Sequence, residues 1–332
     1  MVGKLPPELL RKYIFSRIGV KDPKVIVGPA YGEDAAIINL GEKVLVVHVD
    51  PITGAVEWLG WLAVHIACND IAVRGAKPKW LLCVLYLPEK ATEELIDKIT
   101  SQIDSAAREL GVMIVGGHSE YTPGLDRPLI SMTAIGLANK DKYVRTAGVK
   151  PGDYILMTKT VAIEGTSILA TDFADKLKER GVSEELIKSG ANFIRRIGVL
   201  KEALTLTEVG VHSMHDPTEG GLLGGIAEMA YASNVEIEIW EDKVPIAKET
   251  KTFCEVLGID PLKLISSGVL LAAVPPENVD RALKELNRVG INASIIGKAR
   301  EGRGVVLHRR TGIVERVPEH IVDELYKLWV TS

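Results

Sequence analysis

The residues best suited to chemistry in this chain are carboxylates set among glycines and apolar runs. Gly32-Glu33-Asp34-Ala35-Ala36 is a turn that follows Pro29 and opens a β-branched run, so it presents two adjacent carboxylates on flexible backbone. Carboxylates do not bind phosphate. They bind magnesium, which takes a few hard oxygen ligands and leaves the rest of its octahedron to water and phosphate oxygens. A solvated acidic turn is the competing reading. Asp50 closes the apolar run Val44 to Val49, and Pro51 is expected to stop the strand and leave that carboxylate at its tip, where α/β sheets place ligands. Asn69-Asp70 interrupts the apolar helical stretch Ala63 to Val73. A charge there needs a metal or a partner, and Arg74 at i+4 is the partner within reach. His65 on the same stretch reads as a core histidine.

Gly116-Gly117-His118-Ser119-Glu120 follows the apolar run Val112 to Val115 and is expected to form a tight exit at another strand tip, or an ordinary glycine turn. His215-Asp216-Pro217-Thr218-Glu219-Gly220-Gly221 precedes a helix that should begin near Gly220 or Gly221. Such a glycine-rich helix N-terminus suits an anion, while Asp216 has the alternative of capping that helix.

These segments need a frame that brings them together. Spacing predicts an amphipathic helix from Pro6 to Ile18 and strands at Ala35 to Asn39, Val44 to Val49 and Leu81 to Leu87. Helices follow at Val56 to Val73 and Thr92 to Leu110, with strands at Gly111 to Val115 and Leu129 to Leu137. The turn Val149-Lys150-Pro151-Gly152-Asp153 reopens the alternation. Beyond it come strands at Tyr154 to Met157, Val235 to Trp240, Val269 to Val274 and Ala293 to Lys298. Among them lie helices at Gly165 to Lys178, Ser183 to Leu204 and Gly220 to Ala232. The fold class is α/β in two domains, 1–148 and 149–332, as the length of 332 residues suggests.

Composition narrows the function. With 46% hydrophobic and 25% charged residues the chain reads as an ordinary globular protein, and its formal net charge of −4 offers no basic surface for nucleic acid. Cys68, Cys83 and Cys254 are odd in number and widely spaced, against a disulfide framework or thiolate metal site. No apolar run is long enough to span a membrane and the N-terminus lacks a signal-peptide layout, so a cytoplasmic protein is expected.

In order, GEDAA, a strand ending in Asp50, NDIAVRGAKP, VGGHSE, KPGD and HDPTEGG resemble the AIR synthetase (PurM-like) superfamily, which includes thiamine-monophosphate kinase, selenophosphate synthetase and HypE. The resemblance runs from about Gly32 to Arg310. The second half, through HDPTEGGLLGGIAEMA and Leu257 to Pro261, is most similar to HypE. The resemblance implies an N-terminal mixed sheet with dimerising strands, a C-terminal α/β sandwich, and ATP bound across a homodimer interface. It implies Mg2+ held by Asp34, Asp50, Asp70 and Asp216, with Glu33 beside them. Gly32, Glu33, Asp34, Asn69, Gly116, Gly117, Gly220 and Gly221 are assigned to nucleotide binding, and Asp70 and His118 to catalysis. His118 stands where several relatives carry aspartate. HypE proper ends in a tail cysteine that is carbamoylated and dehydrated with ATP, and here no cysteine follows Cys254. The expected activity is therefore HypE-like activation of an amide, carbonyl or phosphate oxygen, with an unidentified acceptor. A small-molecule kinase or a non-catalytic nucleotide-binding partner is the alternative. Ile321, Val322, Leu325, Leu328 and Trp329 form an amphipathic stripe, so the C-terminus should dock as a helix and stay out of the site.

Overall fold

The computed structural model describes residues 3–53 and 55–330 and builds two mixed sheets. The first contains β1 (Val25–Val27), β2 (Ala36–Asn39), β3 (Lys43–Ile52), β4 (Lys77–Leu87), β5 (Met113–Tyr121) and β6 (Leu129–Asn139) in the order β1-β2-β3-β6-β4-β5. Only β4 and β5 pair in parallel. Along β6, Ile130, Met132, Ala134 and Ala138 are buried, the period-2 pattern of a sheet covered on one face. The cover is two helices. Glu93–Leu110 is amphipathic, capped by the Thr92 hydroxyl and ended by Gly111 in the left-handed region. Leu59–Ala72 is apolar on nearly every side and buried accordingly.

The second sheet contains β7 (Tyr154–Thr158), β8 (Ser213–His215), β9 (Glu236–Trp240), β10 (Leu271–Val274), β11 (Ala293–Arg300), β12 (Gly304–His308) and β13 (Val314–Val317), ordered β13-β12-β9-β11-β7-β10-β8. Its central strands are apolar without alternation because both faces are covered. Ile155, Met157, Leu271 and Ala273 join a core that continues into the first half, while Leu156, Leu270, Ala272 and Val274 join a second core with Leu206 and Leu286.

Several elements differ from expectation, each for a physical reason. β3 runs through Pro51 instead of stopping at Asp50. β2 ends opposite Val47, so beyond it one edge of β3 is open and the missing N–H of Pro51 costs no ladder bond. Gly116 to Glu120 lie inside β5, not at a tip. The stretch Ser183 to Leu204 breaks into Glu184–Ala191, a 3-10 turn, and Leu200–Val209. The first helix shrinks to Pro7–Leu9 and a π turn over Leu10–Ile14. The C-terminal helix is only Leu325–Val330: Leu325 and Leu328 are buried but Val322 is exposed, and the Trp329 side chain lies outside the described residues.

Candidate functional site

Alternation along β3 points Val44, Val46, His48, Asp50 and Ile52 to the helix side of the first sheet. The apolar stripe therefore turns polar at its end, against the helix that carries Asp70. The turn before β2 brings Asp34 to the same place, and the second half delivers Asp216 directly after β8. One ligand atom from each of Asp34, Asp70 and Asp216 lies within 4.8 Å of the others.

The surroundings of these carboxylates differ. Asp34 is held by cations: Arg74 Nη2 donates to it at 2.9 Å, and His215 Nδ1 lies 3.0 Å away. Burial alone would raise its pKa, yet His215 and Arg74 bring it down to about 2. His215 is itself clamped, its other ring nitrogen 2.8 Å from Glu228; burial opposes protonation, but Asp34 and Glu228 lift its pKa to about 10. Asp70 and Asp216 have no such help. They are 5% and 1% exposed, and one oxygen of Asp70 and both of Asp216 lack a hydrogen-bond partner. Burial, then neighbouring carboxylates, push both well above the usual carboxylate range. Asp50 is raised to about 6, mainly by burial. Buried carboxylates left unsatisfied in a cluster are what a divalent cation would complete, and three oxygen donors suit Mg2+.

Arg74 is fully buried and serves Glu33 and Asp34, not Asp70 four residues before it. Its guanidinium also donates to the Met214 carbonyl. Glu33, assigned to nucleotide, is consumed by Arg74, Arg145 and the backbone N–H groups of Thr146 and Ala147. It ties the two halves together. Asn69 does the same, donating to the Ile197 carbonyl and accepting from the Val199 N–H. Gly32 has φ +75, with the Glu228 carbonyl 3.0 Å from where a Cβ would stand.

Gly220 and Gly221 open the helix Gly221–Ser233 with φ of +84 and +64, and no side chain caps it, so Asp216 remains free of that task. The anion at this N-terminus is already present. Asp323 accepts from the Gly220 N–H at 2.8 Å, from the Leu325 N–H at 2.9 Å and from Ile265. Tyr326 donates to Glu219 nearby. Contrary to expectation, the C-terminal segment thus walls the candidate site: Asp323, Leu325 and Tyr326 line a cavity of about 930 Å³ with Asp50, Glu164, Thr218 and Ser267.

His118 lies elsewhere. The registers Pro51↔Ser131, Ser131↔Val84 and Val84↔His118 set it three strands from β3, about 14 Å across the sheet. It is 65% exposed and paired with Glu120. Gly117 has φ +149 and a Cβ there would fall 1.8 Å from the Cys83 carbonyl, so this strand requires glycine for its own packing. Within one chain Gly116, Gly117 and His118 do not join the acidic cluster. Sequence reasoning passed over His48, His215, Glu228 and Glu164; the visible signal for His48 was its place in the inward stripe of β3 beside Asp50.

Family models for AIR synthase related proteins match this chain twice, the N-terminal domain over residues 32–138 and the C-terminal domain over 150–310. A Methanocaldococcus jannaschii protein provisionally named for hydrogenase expression/formation is 34% identical over 318 residues, 93% of this chain and 92% of its own length. The carbamoyl dehydratase HypE of Azotobacter vinelandii is 31% identical over 244 residues, 72% of this chain and 69% of its own. A crystal structure of the hydrogenase maturation protein HypE in complex with ATP matches with TM-score 0.72 and 24% identity, covering 96% of this chain and 95% of that one. That last likeness is one of fold. Among the described residues no helix is long and apolar enough to cross a membrane.

Proposed function

The chain belongs to the AIR synthase related family and is an enzyme of it, and on that premise we propose a HypE-like activity that uses Mg-ATP to phosphorylate an amide, carbonyl or phosphate oxygen. The observation that carries the reading is the trio Asp34, Asp70 and Asp216, brought from three distant segments and left unsatisfied while buried. Asp34, Asp70 and Asp216 would hold Mg2+, with Asp50 on the cleft side. The ion's contribution when bound is to neutralise charge on the transferring phosphoryl group. The acceptor oxygen bonds to the terminal phosphorus as the bond to the ADP oxygen breaks, and the attached phosphate departs in a second step.

The chain's own residues prepare this. Arg74 and His215 keep Asp34 ionised and fixed in direction, and the cleft beside Asp50 gives the acceptor room. A phosphate seated on the helix at Gly220 has to displace Asp323, so the nucleotide and the C-terminal segment compete for those N–H groups. We also propose a homodimer. Val49, Trp80, Leu82 and Met113 are exposed on the face of the first sheet away from its helices, an apolar surface suited to the same face of a second copy. Such a pair could bring His118 of one chain toward the partner's site.

Purified protein should hydrolyse ATP only with Mg2+, faster with the right member of a panel of amides, carbonyl compounds and phosphate esters. Calorimetry with no ATP binding in the presence of Mg2+ would overturn the proposal. Sedimentation as a stable monomer of 36.1 kDa at micromolar concentration would remove the dimer.

A further inference from the structure

Asp70 belongs to two donor sets. Besides the trio with Asp34 and Asp216, a second set of ligand atoms from His48, Asp50 and Asp70 lies within 4.8 Å of one another. We propose that this is a second divalent-cation site, bridged to the first through Asp70, whose nitrogen donor fits it for a borderline transition ion such as Mn2+, Co2+ or Zn2+.

Three features of the molecule carry this. His48 Nε2 stands 3.2 Å from Asp70 Oδ2, yet neither atom completes a hydrogen bond, and both are shielded from solvent. Donors at right angles about 2.1 Å from one cation are about 3 Å apart, so the spacing is that of neighbouring ligands. The His48 ring also contacts the Asp34 backbone, which leaves Nε2 as the nitrogen without a partner. Ligating imidazoles are commonly oriented by such a backbone contact. Finally, His48 and Asp50 continue an inward stripe whose earlier members are Val44 and Val46, so the strand gives up two core positions to place these donors together.

The donor chemistry separates the two sites. Three carboxylates form a hard set suited to Mg2+, whereas imidazole binds Mg2+ poorly and first-row transition ions well. A carboxylate shared between two cations is the arrangement by which metal pairs clamp the oxygens of a phosphoryl transfer. The proposal rests on the Mg-ATP reading only in sharing Asp70, and the second site can stand if the trio holds nothing.

The test uses the full chain, stripped with EDTA and titrated with Mg2+ or Mn2+, with pulsed EPR of the Mn2+ form to detect nitrogen coupling. Two Mn2+ sites per chain and a histidine-nitrogen coupling are expected. His48→Gln should lose one Mn2+ site, at least tenfold in affinity, together with that coupling, while leaving Mg2+ binding in place. Asp216→Asn should lose the other site and keep the nitrogen signal; no effect of Asp216→Asn would defeat the trio and spare this site. A single Mn2+ site in the wild type, absence of nitrogen coupling, or coupling that survives in His48→Gln would overturn the proposal. Should His48→Gln fail to fold, His48→Asn serves as the second variant, and the wild-type stoichiometry and spectrum can refute the site unaided.

Discussion

Two polar clusters looked alike as sequence, and the fold treats them oppositely. Asp34, Asp70 and Asp216 are drawn together where the halves of the molecule meet, deep enough that their charge needs an answer. Gly116 to Glu120 lie on an open edge strand, where His118 and Glu120 answer each other and water does the rest. A buried carboxylate without a partner implies a ligand, because desolvation is otherwise uncompensated. An exposed histidine implies nothing about its own chain. What the second region does advertise is its apolar sheet face, which calls for another protein surface.

The comparison can be sharpened by removing charge from the buried side. Glu164 stands on the cleft wall, 3% exposed, with one oxygen unpartnered; burial pushes its pKa to about 8, slightly opposed by Ser267 and reinforced by Asp323, Asp50 and Glu219. The folded pKa is raised above the unfolded one, so its contribution to stability is complete below about 4.5 and lost as pH rises through about 8. Glu164→Gln should therefore gain on the wild type across that window, by up to about 5 kcal/mol above pH 8. Chemical denaturation at pH 5 and pH 9 measures it, and parallel curves for the two proteins would show that Glu164 is not buried as described.

Arg74→Leu acts in the opposite direction. It leaves Glu33 and Asp34 buried without their cation, which should cost about 4 kcal/mol and lower the melting temperature at every pH near neutrality. A melting temperature close to wild type would mean that the network is dispensable. Asp216→Asn separates function from stability. With no partner to lose, the apoprotein should be as stable as wild type or more so, while Mg-ATP affinity falls on the order of 100-fold. The exposed Asp141→Asn is the control, and equal affinities for the two variants would dismiss the site.

The α/β class, most elements and the carboxylates of the cluster were legible in the sequence because apolar periodicity and isolated charges are local signals. Partner choice is not local. Arg74 reads as the i+4 partner of Asp70, but its guanidinium reaches back to Glu33 and Asp34, which no spacing rule reports. Pro51 reads as a strand stop because the sequence does not reveal which edge of β3 is open. The glycines at 220 and 221 correctly mark an anion-binding helix start, yet the anion is Asp323, about a hundred residues later. Glu33 and Asn69 were given to nucleotide because polar residues in motifs look functional whether they hold a ligand or the two halves of the fold.

The smallest effect tests the exposed region. His118→Ala removes a side chain that is 65% exposed and whose one ion pair, with Glu120, faces solvent. A surface pair of this kind contributes little, so the variant should melt within about 0.5 kcal/mol of wild type. If the sheet face pairs two chains, His118 could still influence turnover through the partner, and the effect would appear only in the dimer. Mixing His118→Ala with the metal-site variant Asp216→Asn distinguishes the cases. Sites completed by both chains would let a mixed dimer recover one active site, since one composite site then carries neither substitution and the other carries both. Turnover of the mixture above the sum of the separate variants is the expected result for a shared site. Additive turnover, with His118→Ala as active as wild type alone, would confine function to the buried cluster and leave β5 a structural edge.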